Sequence, residues 1–195
     1  MTVKVFVSRT GSIDEDVAKI LGVNANTPTD VNVVAFLIEG GVVKPEELPE
    51  IEWKLREELI GKIDTSRPVI VTGRGPHWLY GVFTHNLHFV SCLATWEPRI
   101  KHGVIVESLR NKEIGKALEL SGIVKEICLG AKGKLNIRVG VGKDKTILSV
   151  RIIGDRFVEP KEMRGIVYPE VPSNNLLIIE GMMPIWLGQR IIAEY

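Results

Sequence analysis

The feature of this chain that most constrains its fold is an internal repeat. One strand–loop–helix pattern occurs twice, and Gly, Pro, Trp and Leu match in register between Val69–Leu79 and Leu177–Leu187, at an offset of 108 residues. The segments before these copies also match, because Val43–Leu48 lies over Val158–Met163 at an offset of 115 residues. Apolar strands often resemble one another by chance, but a shared Gly-x-x-Pro-x-Trp-Leu pattern is far more specific and indicates duplication.

The repeat divides the chain into two units of similar length. A weaker similarity between Val5–Gly22 and Val104–Gly122 keeps the same order and favours a boundary near Arg99–Gly103. We therefore predict unit one at residues 1–100, which carries the ligand site, and a degenerate unit two at residues 101–195. Two copies of one open sheet commonly pack about a pseudo-twofold axis, as homodimers do.

Hydrophobic periodicity predicts an α/β protein. Short apolar runs indicate strands, and segments with apolar residues at helical spacing alternate with them. The predicted strands are Val3–Val7, Val31–Ile38, Val69–Val71, Phe89–Trp96, Val104–Val106, Lys134–Val141, Thr146–Ile153 and Leu176–Ile179. The predicted helices are Ile13–Leu21, Pro45–Ile60, Trp78–Phe83, Ile114–Leu120 and Ile185–Ile192. This alternation is typical of Rossmann-like open sheets, here built by internal duplication of one α/β unit.

The composition is that of a folded protein without a large basic surface. Apolar residues make up 45% and charged residues 25% of the chain, which is ordinary for a globular domain. The 25 Lys and Arg residues are balanced by 24 Asp and Glu, so the basic excess of a protein that binds duplex DNA is missing. Met1–Val7 has a strand pattern rather than that of a signal peptide, and no apolar run approaches the roughly 20 residues that span a bilayer. We expect a cytoplasmic protein with a small ligand and no membrane partner.

The loop from Gly73 to Pro76 has the chemistry of a phosphate site. Gly73 and Gly75 allow the backbone to approach a ligand closely, and Pro76 opens a helix whose free amides and dipole favour anions. Arg74 adds a bidentate donor suited to phosphate. In open α/β sheets such a loop lies at the carboxyl edge of the strands, where ligands bind. The alternative is a tight turn that only exposes an arginine.

The histidines indicate that unit one carries the chemistry. All four fall within 26 residues, and unit two has none. The polar residues of unit one and their counterparts in unit two are Arg74 and Met182, Gly75 and Met183, His77 and Ile185, and His85 and Ala193. Because the scaffold residues are shared and the polar ones are not, we predict that His77 and His85 join the loop in binding a ligand. A histidine that is only structural is the alternative at each position.

Glu97 and Arg99 end a predicted buried strand. Because the two residues lie two positions apart on an extended segment, their side chains point to the same side. His88 lies at the other end of that strand, roughly 30 Å away at about 3.3 Å per residue. His88 and Glu97 therefore serve one active site only if a subunit contact brings them together; otherwise only one of them is catalytic. An ion pair that caps the strand is the structural alternative for Glu97 and Arg99.

At these residues the sequence resembles the CRISPR-associated Csx3 proteins, which are small ring nucleases that degrade cyclic tetra-adenylate second messengers. The motifs that carry the resemblance are Gly73-Arg74-Gly75-Pro76-His77-Trp78-Leu79-Tyr80, His85, His88 and Glu97-Pro98-Arg99. The similarity covers residues 31–108 and returns in degenerate form over residues 146–193. The acid is Glu97 where the family has Asp, which lengthens its reach by one methylene.

The resemblance implies a fold, a site and partners. It implies a ferredoxin-like α/β sheet, distantly related to Rossmann-type sensors of cyclic oligoadenylate, and manganese-assisted cleavage of a cyclic adenylate or of RNA ends. His88, Glu97 and Arg99 match the family's catalytic residues, His88 and Glu97 would hold the metal, and Gly73–Pro76 matches its ligand-binding loop. The family forms head-to-tail homo-oligomers that sandwich the ligand, so His88 of one subunit would meet Glu97 and Arg99 of another. A fused pair of units would need only a homodimer.

Three functions fit this sequence. The first is a ring nuclease that cleaves a cyclic oligoadenylate, and the second is a non-catalytic sensor or buffer for the same messenger. The third is a metal-dependent exonuclease that acts on RNA tails. The near-neutral net charge of +1 argues against the third function, because long polyanions are bound largely by excess positive charge.

Overall fold

The fold is mixed α/β, as predicted from the periodicity. A computed structural model describes residues 2–40, 43–59 and 61–195. The strands are β1 (Thr2–Ser8), β2 (Gly11–Ser12), β3 (Pro28–Thr29), β4 (Asn32–Glu39), β5 (Val69–Gly73), β6 (Cys92–Glu97), β7 (His102–Ser108), β8 (Ala117–Leu118), β9 (Val124–Lys125), β10 (Lys134–Val141), β11 (Lys145–Ile153) and β12 (Leu176–Gly181). The α-helices are α1 (Glu15–Leu21), α2 (Leu48–Leu59), α3 (His77–Leu87) and α4 (Ile185–Glu194). Ile60, the predicted end of the second helix, lies outside the described residues.

The larger of the two main sheets has seven strands in the order β1-β4-β5-β6-β7-β8-β9. Strands β4, β5 and β6 run parallel at its centre, and the outer pairs are antiparallel. The middle strand of these three is β5, whose residues Val69–Thr72 are all buried, as expected for a parallel strand covered on both faces. Three parallel strands therefore end at one carboxyl edge.

The two faces of this sheet are covered by different helices. Helix α1 packs on one face with Val33, Ala35 and Ile70, and it ends at Gly22, which lies in the left-handed region. Helices α2, α3 and α4 share the core of the other face. Within the part of the chain that the structure describes, no helix has the length and apolarity needed to cross a bilayer.

The smaller main sheet repeats part of the larger one. Strands β10, β11 and β12 pair in that order, β10 with β11 antiparallel and β11 with β12 parallel, and α4 follows. The larger sheet has the same arrangement in β1, β4 and β5, followed by α3. The predicted strands Lys134–Val141 and Thr146–Ile153 are confirmed as β10 and β11, which form a hairpin. The inner face of the smaller sheet joins the core of the larger sheet through Leu148 and Val150.

One predicted helix is wrong. The segment Ile114–Leu120 contains the short strand β8, which follows a 3-10 turn at Asn111–Glu113 and pairs with β7. Gly115, at φ +79°, packs so tightly that a Cβ would lie 2.3 Å from the carbonyl oxygen of Pro160. The left-handed residue breaks the apparent helical pattern, and sheet pairing takes over from local propensity.

This correction also removes the match between Val5–Gly22 and Val104–Gly122. The structural counterpart of β1 is β10, which the sequence comparison missed. The predicted boundary at Arg99–Gly103 falls at the turn of the β6–β7 hairpin, and both strands belong to the seven-stranded sheet.

Helices α3 and α4 lie side by side and run in the same direction. A Cβ at Gly188 would lie 2.7 Å from the Nδ1 of His77, and a Cβ at Gly81 would lie 2.9 Å from the Cδ1 of Ile192. Both contacts join positions 111 residues apart, which only parallel helices allow. The two glycines permit the close approach, since a side chain at either position would force the facing side chain of His77 or Ile192 to move.

A buried polar network locks this helix pair to the sheet. Gln189 of α4 donates from Nε2 to Oγ1 of Thr84 on α3 at 2.7 Å, and its Oε1 accepts from the hydroxyl of Thr95 on β6. The hydroxyl of Thr84 in turn donates to the carbonyl of Tyr80 at 3.0 Å. Every member is buried, so losing one leaves the others unpaired.

Replacing Thr84 with valine is expected to destabilise the protein measurably. The change keeps the side-chain volume but removes the acceptor at 2.7 Å from Gln189 Nε2, which keeps only its longer 3.4 Å bond to the Tyr80 carbonyl. A buried donor that loses its main partner costs about 1–3 kcal/mol. Urea denaturation would measure the loss in the free energy of unfolding. Thr65→Val is the matched control at an exposed threonine, with an expected change within about 0.5 kcal/mol; equal losses in the two variants would contradict the network.

Candidate functional site

The loop from Gly73 to Pro76 is rigidly anchored beneath its surface. Tyr80 donates a hydrogen bond from its hydroxyl to the Gly73 carbonyl at 2.6 Å. The ring of Phe36 packs edge-on against Tyr80, with centroids 4.8 Å apart. A Cβ at Gly73 would lie 2.7 Å from that Phe36 ring, so glycine is required by close packing here. The loop is therefore pre-shaped before any ligand arrives.

The second copy of the loop, from Gly181 to Pro184, uses the same scaffold. Gly181 lies at φ +133°, and a Cβ there would lie 2.0 Å from the carbonyl oxygen of Val150. Pro184 precedes α4 with φ −65° and ψ 152°, close to the φ −68° and ψ 157° of Pro76 before α3. The repeat has thus preserved the backbone of the loop while its side chains changed.

Parallel packing of α3 and α4 brings the two loops to the same side of the molecule. Both helices begin there, so two sets of free backbone amides and two positive dipole ends face the same way. His77 stands at the start of α3 and touches Gly188 of α4. Its side chain is exposed overall, but this partial burial lowers the pKa of His77 below its usual value, so the ring is neutral at pH 7.

A large cavity opens on this side, with a volume of about 1240 Å³. Most of its lining comes from unit two. Its polar, aromatic and thioether side chains are those of His77, Ser149, Arg151, Asp155, Arg156, Phe157, Glu180, Met182 and Met183. Sequence reasoning missed all of these except His77, because unit two has no histidine. The available signal was the run Arg156-Phe157 beside a turn glycine, Gly154, since arginine next to an aromatic is typical of nucleotide contacts.

Glu97 and Arg99 form a tight pair at the carboxyl end of β6. Arg99 donates from Nε and Nη2 to the two carboxylate oxygens of Glu97, both at 2.8 Å. Burial raises the pKa of Glu97, but the hydrogen bonds and charge of Arg99 outweigh it and hold the pKa below the ordinary value. Glu97 is therefore ionised at neutral pH and already fully engaged.

The glycine loop and the Glu97–Arg99 pair lie at the same edge of the sheet. Strands β5 and β6 are parallel, and Val71 pairs with Thr95. Two residues further along each strand, Gly73 comes level with Glu97. Arg99 then reaches across to unit two, where its guanidinium carbon lies 4.3 Å from the ring centroid of Phe157, a cavity residue. The predicted loop, His77, Glu97 and Arg99 therefore share one region.

His85 and His88 lie elsewhere. They occupy the last turn and C-cap of α3, at the opposite edge of the sheet, with ring centroids 5.8 Å apart. His88 forms a hydrogen bond through Nδ1 with the carbonyl of His85. A smaller, mostly apolar cavity of about 440 Å³ lies beside them and includes Phe89 and Arg56.

The strand between His88 and Glu97 is shorter than predicted. Strand β6 covers only Cys92–Glu97, about 17 Å at 3.3 Å per step, and it begins after the predicted start at Phe89. His88 precedes the strand at the C-cap of α3, whereas Glu97 ends it, so the two residues lie at opposite edges. One chain does not bring His88 and Glu97 together.

The residues of one chain do not fit a shared metal at His88 and Glu97. Among the residues that the structure describes, no group of three or more His, Cys, Asp or Glu side chains comes together in a way that suits a metal ion. Both oxygens of Glu97 are also bound by Arg99. A manganese site with these ligands would need donors from two chains.

Arg74 points away from the large cavity. It lines a separate cavity of about 290 Å³ together with Asp16, Lys19 and Phe36. Its side chain is exposed. The loop thus presents an arginine on the side of α1, while the adjacent His77 faces unit two.

Gly188→Ala is expected to displace the His77 ring and raise its pKa. The new methyl group would lie 2.7 Å from Nδ1, so the imidazole must move toward solvent and lose the burial that lowers its pKa. A histidine NMR titration should then show the pKa of His77 close to its ordinary value of 6.5. Gly140→Ala is the control, because a Cβ there meets nothing within 4 Å; an unchanged His77 titration in Gly188→Ala would show that the helices pack differently.

Comparison with known proteins agrees with the repeated architecture. Residues 37–119 and 151–195 match the family described as CRISPR-associated protein (Cas_csx3). The first segment runs from the end of β4 through β8, and the second from the end of β11 through α4. An uncharacterized protein of Aquifex aeolicus (strain VF5) is 28% identical over 94 residues, which cover 48% of this chain and 81% of that relative. Because the family match covers well over half of the chain, this protein is a member of the Cas_csx3 family of CRISPR-associated proteins.

Proposed function

We propose that this protein binds a cyclic oligoadenylate at the cavity beside the paired loops and cleaves its phosphodiester bonds. The observation that carries the proposal is the side-by-side start of α3 and α4 at the edge that also holds Arg99. Two helix N-termini favour phosphate groups, and the symmetric backbone suits a ligand that itself repeats. Membership of a CRISPR-associated family supports a nucleotide messenger as the ligand.

The charges around the cavity suit a small polyanion. Arg99, Arg151 and Arg156 lie in or beside it, and the carboxylates of Glu97, Asp155 and Glu180 balance their charge. This balance favours a few focused phosphate contacts rather than a long nucleic acid. The volume of about 1240 Å³ exceeds a typical small-molecule site, as a ring of several nucleotides requires.

The proposed cleavage needs a base, a proton for the leaving oxygen and groups that stabilise negative charge on the phosphate. A ribose 2′-oxygen forms a bond to the adjacent phosphorus, the bond from phosphorus to the 5′-oxygen breaks, and a 2′,3′-cyclic phosphate and a 5′-hydroxyl result. A base takes the proton of the 2′-hydroxyl, and a proton reaches the departing 5′-oxygen. Helix amides and Arg99 stabilise the charge that develops on the phosphate oxygens.

Two histidines fit the role of the base in different ways. His77 is neutral at pH 7 and lines the cavity of its own chain, so it is ready to accept a proton. His88 lies at the opposite edge, at the C-cap of α3, so it would act on a ligand held by another chain. The family resemblance favours His88, and the geometry of a single chain favours His77.

The purified protein is expected to convert cyclic tetra-adenylate into linear di-adenylate. Chromatography of the products, with and without added manganese, measures this directly. Arg99→Met is expected to slow cleavage by about 100-fold or more, because one lost charge-stabilising group costs about 2.7–4 kcal/mol in the transition state. The exposed Arg67→Met is the matched control; wild-type protein that neither binds nor cleaves the ring would end the proposal.

Mixing two inactive variants distinguishes the two histidines. If His88 acts across a subunit contact, His88→Ala and Arg99→Met should each be inactive alone, yet regain part of the activity when mixed. Each mixed pair then contains one site with both residues intact. If His77 is the base, His88→Ala should remain active, and mixing His77→Ala with Arg99→Met should restore nothing.

A non-catalytic sensor is the second candidate. The observation that favours it is the complete engagement of Arg99 and Glu97 with each other, which weakens the charge that Arg99 offers to a phosphate. A sensor would retain intact cyclic tetra-adenylate during gel filtration and release no linear product. The same chromatography therefore separates the two candidates.

A further inference from the structure

We infer that Phe157 is a base-stacking platform, so that unit two reads a purine base of the ligand in addition to contributing phosphate-binding groups. This inference rests on the proposed function for the identity of the ligand. It gives base recognition to a residue of unit two, the unit predicted from the sequence to be degenerate. Phe157 is held from one side and exposes its remaining surface to the cavity.

The ring of Phe157 is supported from one side. The Arg99 guanidinium carbon lies 4.3 Å from the ring centroid, and both donor edges of that guanidinium are fixed by the buried carboxylate of Glu97. Arginine over an aromatic face is attracted to the ring quadrupole. The Glu97–Arg99 pair therefore supports one face of the Phe157 ring and fixes its orientation.

The main chain of Phe157 is also held. Its carbonyl accepts a hydrogen bond from the amide of Gly133 at 3.1 Å. A Cβ at Gly133 would lie 2.4 Å from that same oxygen, so the two segments are in close contact. A platform fixed at both its backbone and its ring loses little conformational freedom when a ligand stacks on it.

The remaining surface of Phe157 is open to the cavity. The side chain is 44% exposed although phenylalanine is usually buried, and it lines the cavity next to Arg156. A planar base can cover this surface, and each base stacked on an aromatic side chain contributes about 1–3 kcal/mol. Met182, which replaces Arg74 of the first loop, adds a polarizable thioether to the same cavity.

Fluorescent purines provide the test. A cyclic tetra-adenylate with one adenine replaced by 2-aminopurine, and 2-aminopurine ribonucleoside monophosphate, should each lose fluorescence when stacked on the full-length protein. Phe157→Leu keeps the apolar volume but removes the π-face, so we expect weaker binding by about 10-fold and loss of the quenching. Phe157→Tyr should restore both.

The controls separate this inference from the proposed function. Trp53 is an exposed aromatic on α2, outside the cavity lining, and Trp53→Leu should change neither affinity nor quenching. If the monophosphate is quenched but the ring does not bind, the platform stands and the proposed function fails. The inference is overturned if Phe157→Leu binds cyclic tetra-adenylate as tightly as the wild type does. It is also overturned if the wild-type protein quenches neither probe.

Discussion

The close parallel packing of α3 and α4 is the interaction on which the rest of the structure depends. Gly81 and Gly188 remove the side chains that would separate the helices, and Gln189 ties both of them to β6 through two threonines. Because each helix follows its own glycine–proline loop, fixing the helices also fixes the two loops relative to each other. The region that we assign to the ligand is a direct result of this contact.

Much of the fold could be predicted from the sequence because its signals are local. The Gly-x-x-Pro-x-Trp-Leu pattern marks a strand, a tight loop and a helix start in both units, and all of these are present. The segment Ile114–Leu120 shows where local reasoning ends, because its apolar spacing suits a helix while pairing with β7 makes Ala117–Leu118 a strand. The counterpart of β1 was also missed, since β10 shares only an apolar character with it.

The candidate site was predictable in part. The glycine loop, His77, Glu97 and Arg99 were all singled out, and the structure brings them to one edge because β5 and β6 are parallel neighbours. The contribution of unit two was not predictable, because the contact between Arg99 and Phe157 joins residues 58 positions apart across two sheets. His85 was grouped with the loop because its counterpart in unit two is apolar, yet a helix of 11 residues carries it to the far edge, beside His88.

Joining the two copies in one polypeptide has a consequence for how the binding edge can vary. In an assembly of identical subunits, every substitution appears at both related positions, so the two halves of a site must stay chemically alike. Here Arg74 and Met182 occupy related positions on the two loops, as do His77 and Ile185. One chain can therefore place a cation and a thioether at matching points around a pseudo-axis. Because both loops belong to one polypeptide, they are always present in equal numbers, and dilution cannot separate the two halves of the binding edge.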